Sequence, residues 1–172
     1  RQRQMCIRDM YIQCAKLLSY PHLSNNICKS LAHKIRKNYK EIDLILAPAM
    51  GGIIIGYEIG KILKKETIFC ERVNGKFKLR RGFTINKGSK VLIIEDVITT
   101  GKSSMECVKL INKNKAKLVG FASLIDRSTK KSLKIKKKII SQLKISVPTY
   151  KKNELPENLR KIPIKLPGIT LI

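Results

Sequence analysis

Short, wholly apolar runs alternate along this chain with longer stretches whose apolar residues recur every three or four positions. That is the pattern of buried parallel strands joined by helices. Val91-Leu92-Ile93-Ile94 and Leu44-Ile45-Leu46 are the clearest strands, followed by Thr67 to Cys70, Leu118 to Ile125 and Ile139 to Val147. Pro21 to about Asn38 carries Leu23, Ile27, Leu31 and Ile35 at fourfold spacing, which predicts a helix. Ile53 to Lys64 predicts a second. Its Ile53, Ile54, Ile55, Tyr57, Ile59, Ile62 and Leu63 leave almost no polar face, as expected of a helix between a sheet and another surface, such as a subunit interface. A third helix opens at Lys102 and buries Met105, Val108, Leu110 and Ile111. Tyr11 to Ala15 reads as a short strand or extended segment. The expected fold class is α/β, with a central, mostly parallel sheet flanked by helices.

The strand Val91 to Ile94 carries the chemistry. Glu95 and Asp96 follow it at once, then Val97 and Ile98, a Thr99-Thr100-Gly101 turn, and a helix opening at Lys102-Ser103-Ser104. In an open α/β sheet the ligand sits beyond the carboxyl end of such a strand. The turn's N–H groups and the helix N-terminus suit a phosphate dianion. Gly101-Lys102-Ser103 also ends a Walker phosphate loop, but that motif needs glycine where Asp96 stands. A carboxylate there repels nucleotide phosphates and accepts hydrogen bonds from vicinal hydroxyls. The stretch therefore fits one ligand with a diol on one side and a phosphate on the other, a ribose 5-phosphate. An ordinary buried strand with a polar turn would leave the adjacent acids unexplained.

Composition changes this picture little. The 172 residues are enough for one domain with a real core, and the formal charge of +25 suggests an anionic partner. Lys, Ile and Asn are abundant throughout, however, and the Lys130–Lys138 run reads as a solvated connection. Few aromatics are present for base stacking, so no nucleic-acid partner is expected. Cys6, Cys14, Cys28, Cys70 and Cys107 show no CxxC spacing, which indicates neither a zinc site nor a disulfide framework. A reduced, cytoplasmic protein without a membrane span is the expectation. His22 and His33 have no ligand partner at a suitable spacing and are expected at the surface.

EDVITTGKS closely resembles the phosphoribosyl-pyrophosphate (PRPP) signature of type I phosphoribosyltransferases. YIQCAKLLSYP, APAMGG, ERVNGKFKLRRGF, SLIDRS and PTY, in that order and spacing, resemble orotate phosphoribosyltransferase over about Met10 to Gly168. The resemblance implies the type I phosphoribosyltransferase fold with a flexible hood loop, and transfer of the 5-phosphoribosyl group from PRPP to orotate in pyrimidine biosynthesis. It implies that Glu95 and Asp96 hold the ribose hydroxyls. It also implies that Thr99, Thr100, Gly101, Lys102 and Ser103 bind the 5-phosphate, with Thr99 also near the base, and that Val97 and Ile98 are further PRPP contacts. Met50 and Gly51 lie in the pyrophosphate loop, which often contains a non-proline cis peptide. Some relatives have Lys at the Gly51 position, and this chain must rely on backbone donors there. Glu71 to Phe83 corresponds to the hood, where Arg72 and Lys76 match its pyrophosphate-binding Arg and most important Lys. Val73 and Lys78 stand where some relatives have a second Lys and a His. Lys76, Arg72 and Asp96 are thus the expected catalytic residues, with Lys78 a further PRPP contact. Arg127 pairs with the orotate carboxylate, and Tyr11 and Ile12 face the base. Mg²⁺ is the implied cofactor, held mainly by PRPP oxygens and water rather than by a protein metal site. A homodimer is implied, with the hood acting in trans.

The first eight residues, RQRQMCIR, fit nothing that follows and are expected to be a non-native leader. Residues 9–172 then form a single domain lacking the front-end helix and strand of the family. In the tail, a helical turn is expected around Leu155 to Leu159. Leu155 and Asn158 stand near a Cys pair found in many relatives, so no tail metal or redox role follows. Alternative functions are phosphoribosyl transfer to another base and non-catalytic PRPP sensing. Arg127 and the ERVNGKF segment argue against a purine hood, and no helix-turn-helix module is evident. An inactive, truncated chain is a third alternative.

Overall fold

The computed structural model describes residues 12–129, 133–146 and 156–157. Its elements run α1 (Cys14–Leu18), α2 (Pro21–Asn38), β1 (Leu44–Pro48), α3 (Gly51–Leu63), β2 (Glu66–Val73), β3 (Lys76–Leu79), β4 (Lys90–Ile98), α4 (Lys102–Lys113), β5 (Lys117–Asp126) and β6 (Ile139–Lys144). The six strands form one sheet in the order β3-β2-β1-β4-β5-β6. Every pairing is parallel except β2 with β3. Cys14–Ile145 forms one compact unit, and the account below concerns that unit.

Alternation along the strands gives the sheet two buried faces. Leu44, Leu46, Ile68, Val91, Ile93 and Phe121 pack in one cluster with Cys107 and Ile111 of α4. Leu92 and Ile94 have the opposite parity on β4 and are also fully buried. Helix α3 packs against β1, β2 and β4, and α2 packs on α3. A Cβ added at Gly56 would fall 2.9 Å from the Ala47 Cβ, and one at Gly60 would strike the Thr67 hydroxyl. The glycine row lets α3 lie close against β1 and β2. In the α4 layer the Sγ atoms of Cys70 and Cys107 are 3.5 Å apart, both fully buried. Burial and this contact push the Cys107 thiol well above its ordinary range, the contact being the larger cause.

Three local expectations are corrected. Cys14 and Ala15 open helix α1 rather than extending a strand. The buried side of α2 is Ser24, Cys28, Leu31, Ala32 and Ile35, whereas Leu23 is 45% exposed. The fourfold row holds at Leu31 and Ile35, which are buried, and fails at its N-terminal end, where Ser24 and Cys28 are buried instead of Leu23. Glu71 to Leu79, read as a loop, belongs to the β2–β3 hairpin, with Arg72 opposite Phe77 and Val73 opposite Lys76. Asn74 and Gly75 both have positive φ, at 50° and 75°. This two-residue turn matches the twist of its strands. The leader and tail expectations fall outside the described residues, apart from Pro156 and Glu157.

Candidate functional site

Strand β4 continues past its apolar run, pairing with β5 as far as Ile98 opposite Asp126. Glu95 and Asp96 therefore lie within the strand and point to opposite faces. On the α4 side, the Ser104 hydroxyl donates to the Glu95 carboxylate. On the other side, a Cβ at Gly51 would meet the Asp96 carboxylate, so any side chain there requires Asp96 to move. Glu95 is 8% exposed. Burial pushes its carboxyl up to about 7, with the Ser104 bond opposing, the Asp96 charge adding and the Arg72 charge opposing. Burial also raises the Asp96 carboxyl, while a 2.8 Å bond from the Val97 N–H to Oδ1 opposes it.

Beyond the acids the chain turns into a cradle. Glu95, Val97, Ile98, Thr99, Thr100, Gly101, Lys102 and Ser103 line a cavity of about 70 Å³. Gly101 has φ 70°, and a Cβ there would sit 2.8 Å from Ile135 Cδ1. The first turn of α4 has no acidic residue, and Gly101 supplies no side-chain cap. The Lys102 N–H makes a 3.4 Å contact to the Thr100 hydroxyl, and the helix start lines the cavity as a site suited to an anion. The Lys134 N–H donates to the Thr100 carbonyl at 2.9 Å, and Ile135 is buried. Part of the expected solvated lysine run thus braces the turn. Its signal was the apolar alternation of Leu133 and Ile135 within the cations.

A second helix N-terminus lies at the end of β1. Ala49–Met50 is a cis peptide bond, and α3 begins at Gly51, also without an acid or a side-chain cap in its first turn. The Ala49 N–H donates to the Cys70 carbonyl at 2.8 Å, and Met50 is 81% exposed. Gly51 thus stands beside Asp96, with the exposed Met50 preceding it in the chain.

The hairpin cations fall into two groups. Arg72 Nη1 donates to the Gly75 carbonyl at 2.9 Å and to Glu106 Oε2 at 2.8 Å. Its guanidinium lies 4.1 Å from the Phe77 ring centroid. Arg80 and Arg81 both pair with Glu71. Lys76 and Lys78 are exposed on one side of β3 while Phe77 is buried on the other, and neither Lys makes an ion pair among the described residues. Ser104, Glu106 and Ile135 are the site residues that the sequence reading missed.

At the end of β5, the Arg127 N–H donates to the Ile98 carbonyl at 2.8 Å, which places Arg127 beside the cradle strand. Burial lowers its guanidinium below the ordinary value. Asp126 is buried and accepts from the Ser128 N–H at 2.9 Å. Tyr11 lies outside the described residues. Ile12 belongs to the terminal unit (1–13 and 146–172), where it is half-buried and outside any helix or strand. His22 and His33 are exposed.

Among the described residues no three His, Cys, Asp or Glu side chains group as metal ligands. The chemistry of the acids at the cradle suits a hard cation that keeps several waters and shares phosphate oxygens with a substrate. No helix among the described residues is long and apolar enough to cross a membrane.

Residues 20–154 match the phosphoribosyl transferase domain model. The chain is 44% identical over 160 residues to an orotate phosphoribosyltransferase from Parvibaculum lavamentivorans, covering 92% of this chain and 82% of the relative. A solved adenine phosphoribosyltransferase from Thermoanaerobacter pseudethanolicus superposes with a TM-score of 0.67 at 17% identity, covering 78% of this chain and 88% of that one. A solved orotate phosphoribosyltransferase from Aeropyrum pernix gives 0.62 at 17% identity, covering 78% of each chain. At such identities the two structures establish the shared fold.

Proposed function

The chain belongs to the orotate phosphoribosyltransferases, and from that premise we propose how its site divides the work of the reaction. The protein transfers the 5-phosphoribosyl group from PRPP to orotate, giving orotidine 5'-phosphate and pyrophosphate in pyrimidine biosynthesis. The observation that carries the site assignment is the continuity of strand, acids and cradle from Val91 to Ser103, closed by Gly101 at φ 70°.

The 5-phosphate occupies the cradle, where the N-terminal N–H groups of α4 meet it. The two acids take the ribose hydroxyls, and their negative charge favours the oxocarbenium-like sugar that forms as the anomeric bond breaks. The pyrophosphate end lies toward Met50, Gly51 and the start of α3, with Arg72 beside it. Lys76 and Lys78 supply the mobile charge that stabilises the leaving group, and hairpin closure keeps water from the sugar. Arg127 holds the planar carboxylate of orotate by two parallel hydrogen bonds. Thr99 lies near the base.

Bound Mg²⁺ would neutralise pyrophosphate charge, with Asp96 and Glu95 as the available carboxylates and PRPP oxygens and water as the main ligands. A homodimer with the hairpin tip reaching the neighbouring site is part of the proposal. The outward side of β3 supports it, as does the exposed apolar row Met50, Ile54 and Tyr57 at the start of α3. A cytoplasmic location fits the buried free thiols Cys14, Cys28, Cys70 and Cys107. Residues 9–172 are proposed to act as a single phosphoribosyltransferase domain.

Purified protein supplied with PRPP, Mg²⁺ and orotate should consume the orotate absorbance and release pyrophosphate. Turnover of adenine or hypoxanthine instead, with orotate untouched, would overturn the substrate assignment.

A further inference from the structure

We infer that Glu106, on α4, is a positioning residue for the reaction: it holds the Arg72 guanidinium so that one edge of its fork stays open for the pyrophosphate end of PRPP. The inference rests on the reading that Arg72 meets that pyrophosphate. Arg72 stands near the end of β2, just before the Asn74-Gly75 turn, where an arginine side chain would otherwise sample many rotamers. Here three contacts define it. Nη1 is committed to Glu106 at 2.8 Å and to the Gly75 carbonyl at 2.9 Å, and the flat face rests on Phe77. Phe77 is 7% exposed and anchored in the α4-side cluster. Nε and Nη2 make no hydrogen bond among the described residues. They are the two donors that a phosphate group takes in parallel.

Two further observations tie this arrangement to the site. Glu106 lies one helical turn beyond Lys102, so the helix that forms the phosphate cradle also orients the hairpin arginine. The Arg72 charge also reaches Glu95, whose ionised form it favours. The pair is solvent-accessible, with side-chain exposures of 41% for Arg72 and 21% for Glu106. An ion pair of that kind contributes little to global stability. Its effect is to remove, before substrate arrives, the ordering cost that a free arginine would bring to binding.

Steady-state kinetics of E106A, E106Q, R72A and the E106A/R72A double variant test this, with thermal melts to establish that each is folded. Glu106→Ala should lower kcat/KM for PRPP roughly 3- to 10-fold, the penalty of one unordered side chain. KM for orotate and the melting temperature should stay unchanged. Glu106→Gln keeps an acceptor and should recover part of the loss, and it gives the answer if E106A fails to fold. In the double variant the Glu106 change should add nothing to R72A. Wild-type kinetics in E106A and E106Q, alongside an impaired R72A, would overturn the positioning role. Full additivity of E106A and R72A would overturn it too. A silent R72A would instead overturn the assignment of Arg72 to pyrophosphate, and the inference with it.

Discussion

The Ser104 hydroxyl, in the first turn of α4, donates to the Glu95 carboxylate near the end of β4. The strand acid is thereby bonded to the helix that its own loop leads into. Glu95 is nevertheless buried enough for its carboxyl to rise from the ordinary 4.5 to about 7. A carboxyl with a higher pKa in the folded state binds more protons there than in the unfolded chain across that interval. Its contribution to stability is therefore present at low pH and lost as pH rises from about 4.5 through 7, by about 3 kcal/mol in full. Glu95→Gln should abolish this loss. Melting temperatures at pH 5 and pH 8 should show the wild type falling roughly 5–10 °C further than the variant. Equal falls would show that Glu95 ionises normally.

Lys76 is exposed and makes no ion pair among the described residues, so Lys76→Ala should leave the melting temperature within about a degree of wild type. Turnover should drop on the order of 100-fold while PRPP affinity changes little, because the charge acts on the departing pyrophosphate. Kinetics combined with equilibrium PRPP binding separate the two. Equal losses would mean that Lys76 only binds ground-state substrate.

Gly101 combines φ 70° with the close approach of Ile135. Gly101→Ala should destabilise the fold by about 1–3 kcal/mol and weaken PRPP binding, since the turn must shift to relieve the contact. Adding Ile135→Ala removes the contact and leaves the backbone cost. Calorimetric binding of PRPP should then recover partly in the double variant, even though stability falls with the lost apolar packing.

Arg127 stands beside the cradle strand at the end of β5. Arg127→Ala should raise KM for orotate at least 10-fold with PRPP binding unchanged, the loss expected of a charge-assisted pair worth about 1.5–3 kcal/mol. Arg127→Lys should not restore it, because an ammonium cannot offer two parallel donors. Initial rates at varied orotate decide this. A rescue by lysine would argue for a point-charge contact only.

Chelation should stop turnover without lowering the melting temperature of the substrate-free protein. A metal held chiefly by PRPP oxygens stabilises no part of the empty fold. Calorimetric scans with and without chelator test this directly.

The strand–acid–turn–helix unit was legible because its information is local. The apolar run of Val91 to Ile94, the TTG turn and the uncapped start of α4 all lie within one stretch of sequence. Local information was also present but overridden at Asn74-Gly75, where the cations around a strong hairpin turn suggested a loop. Five residues of α1 are too few for a helical period to register. On α2, Leu31 and Ile35 of the fourfold row are buried as the spacing predicts, but at its N-terminal end Ser24 and Cys28 are buried while Leu23 is 45% exposed, a choice the apolar pattern cannot make. The least legible contacts join distant residues. Nothing in the sequence ties Arg72 to Glu106, or Gly101 to Ile135, since each pair meets only after the sheet has assembled. The split of Glu95 and Asp96 between the two faces follows from β4 running on to Ile98, which the apolar run alone does not reveal.

The neighbouring sulfurs of Cys70 and Cys107 turn the α4 layer into its own clock. With both thiols fully buried, and Cys107 held protonated, an alkylating reagent reaches them only when helix and sheet part. The rate of their modification would count those partings. Its slowing on addition of PRPP would record how far a ligand at the mouth of the sheet quiets the interior beneath it.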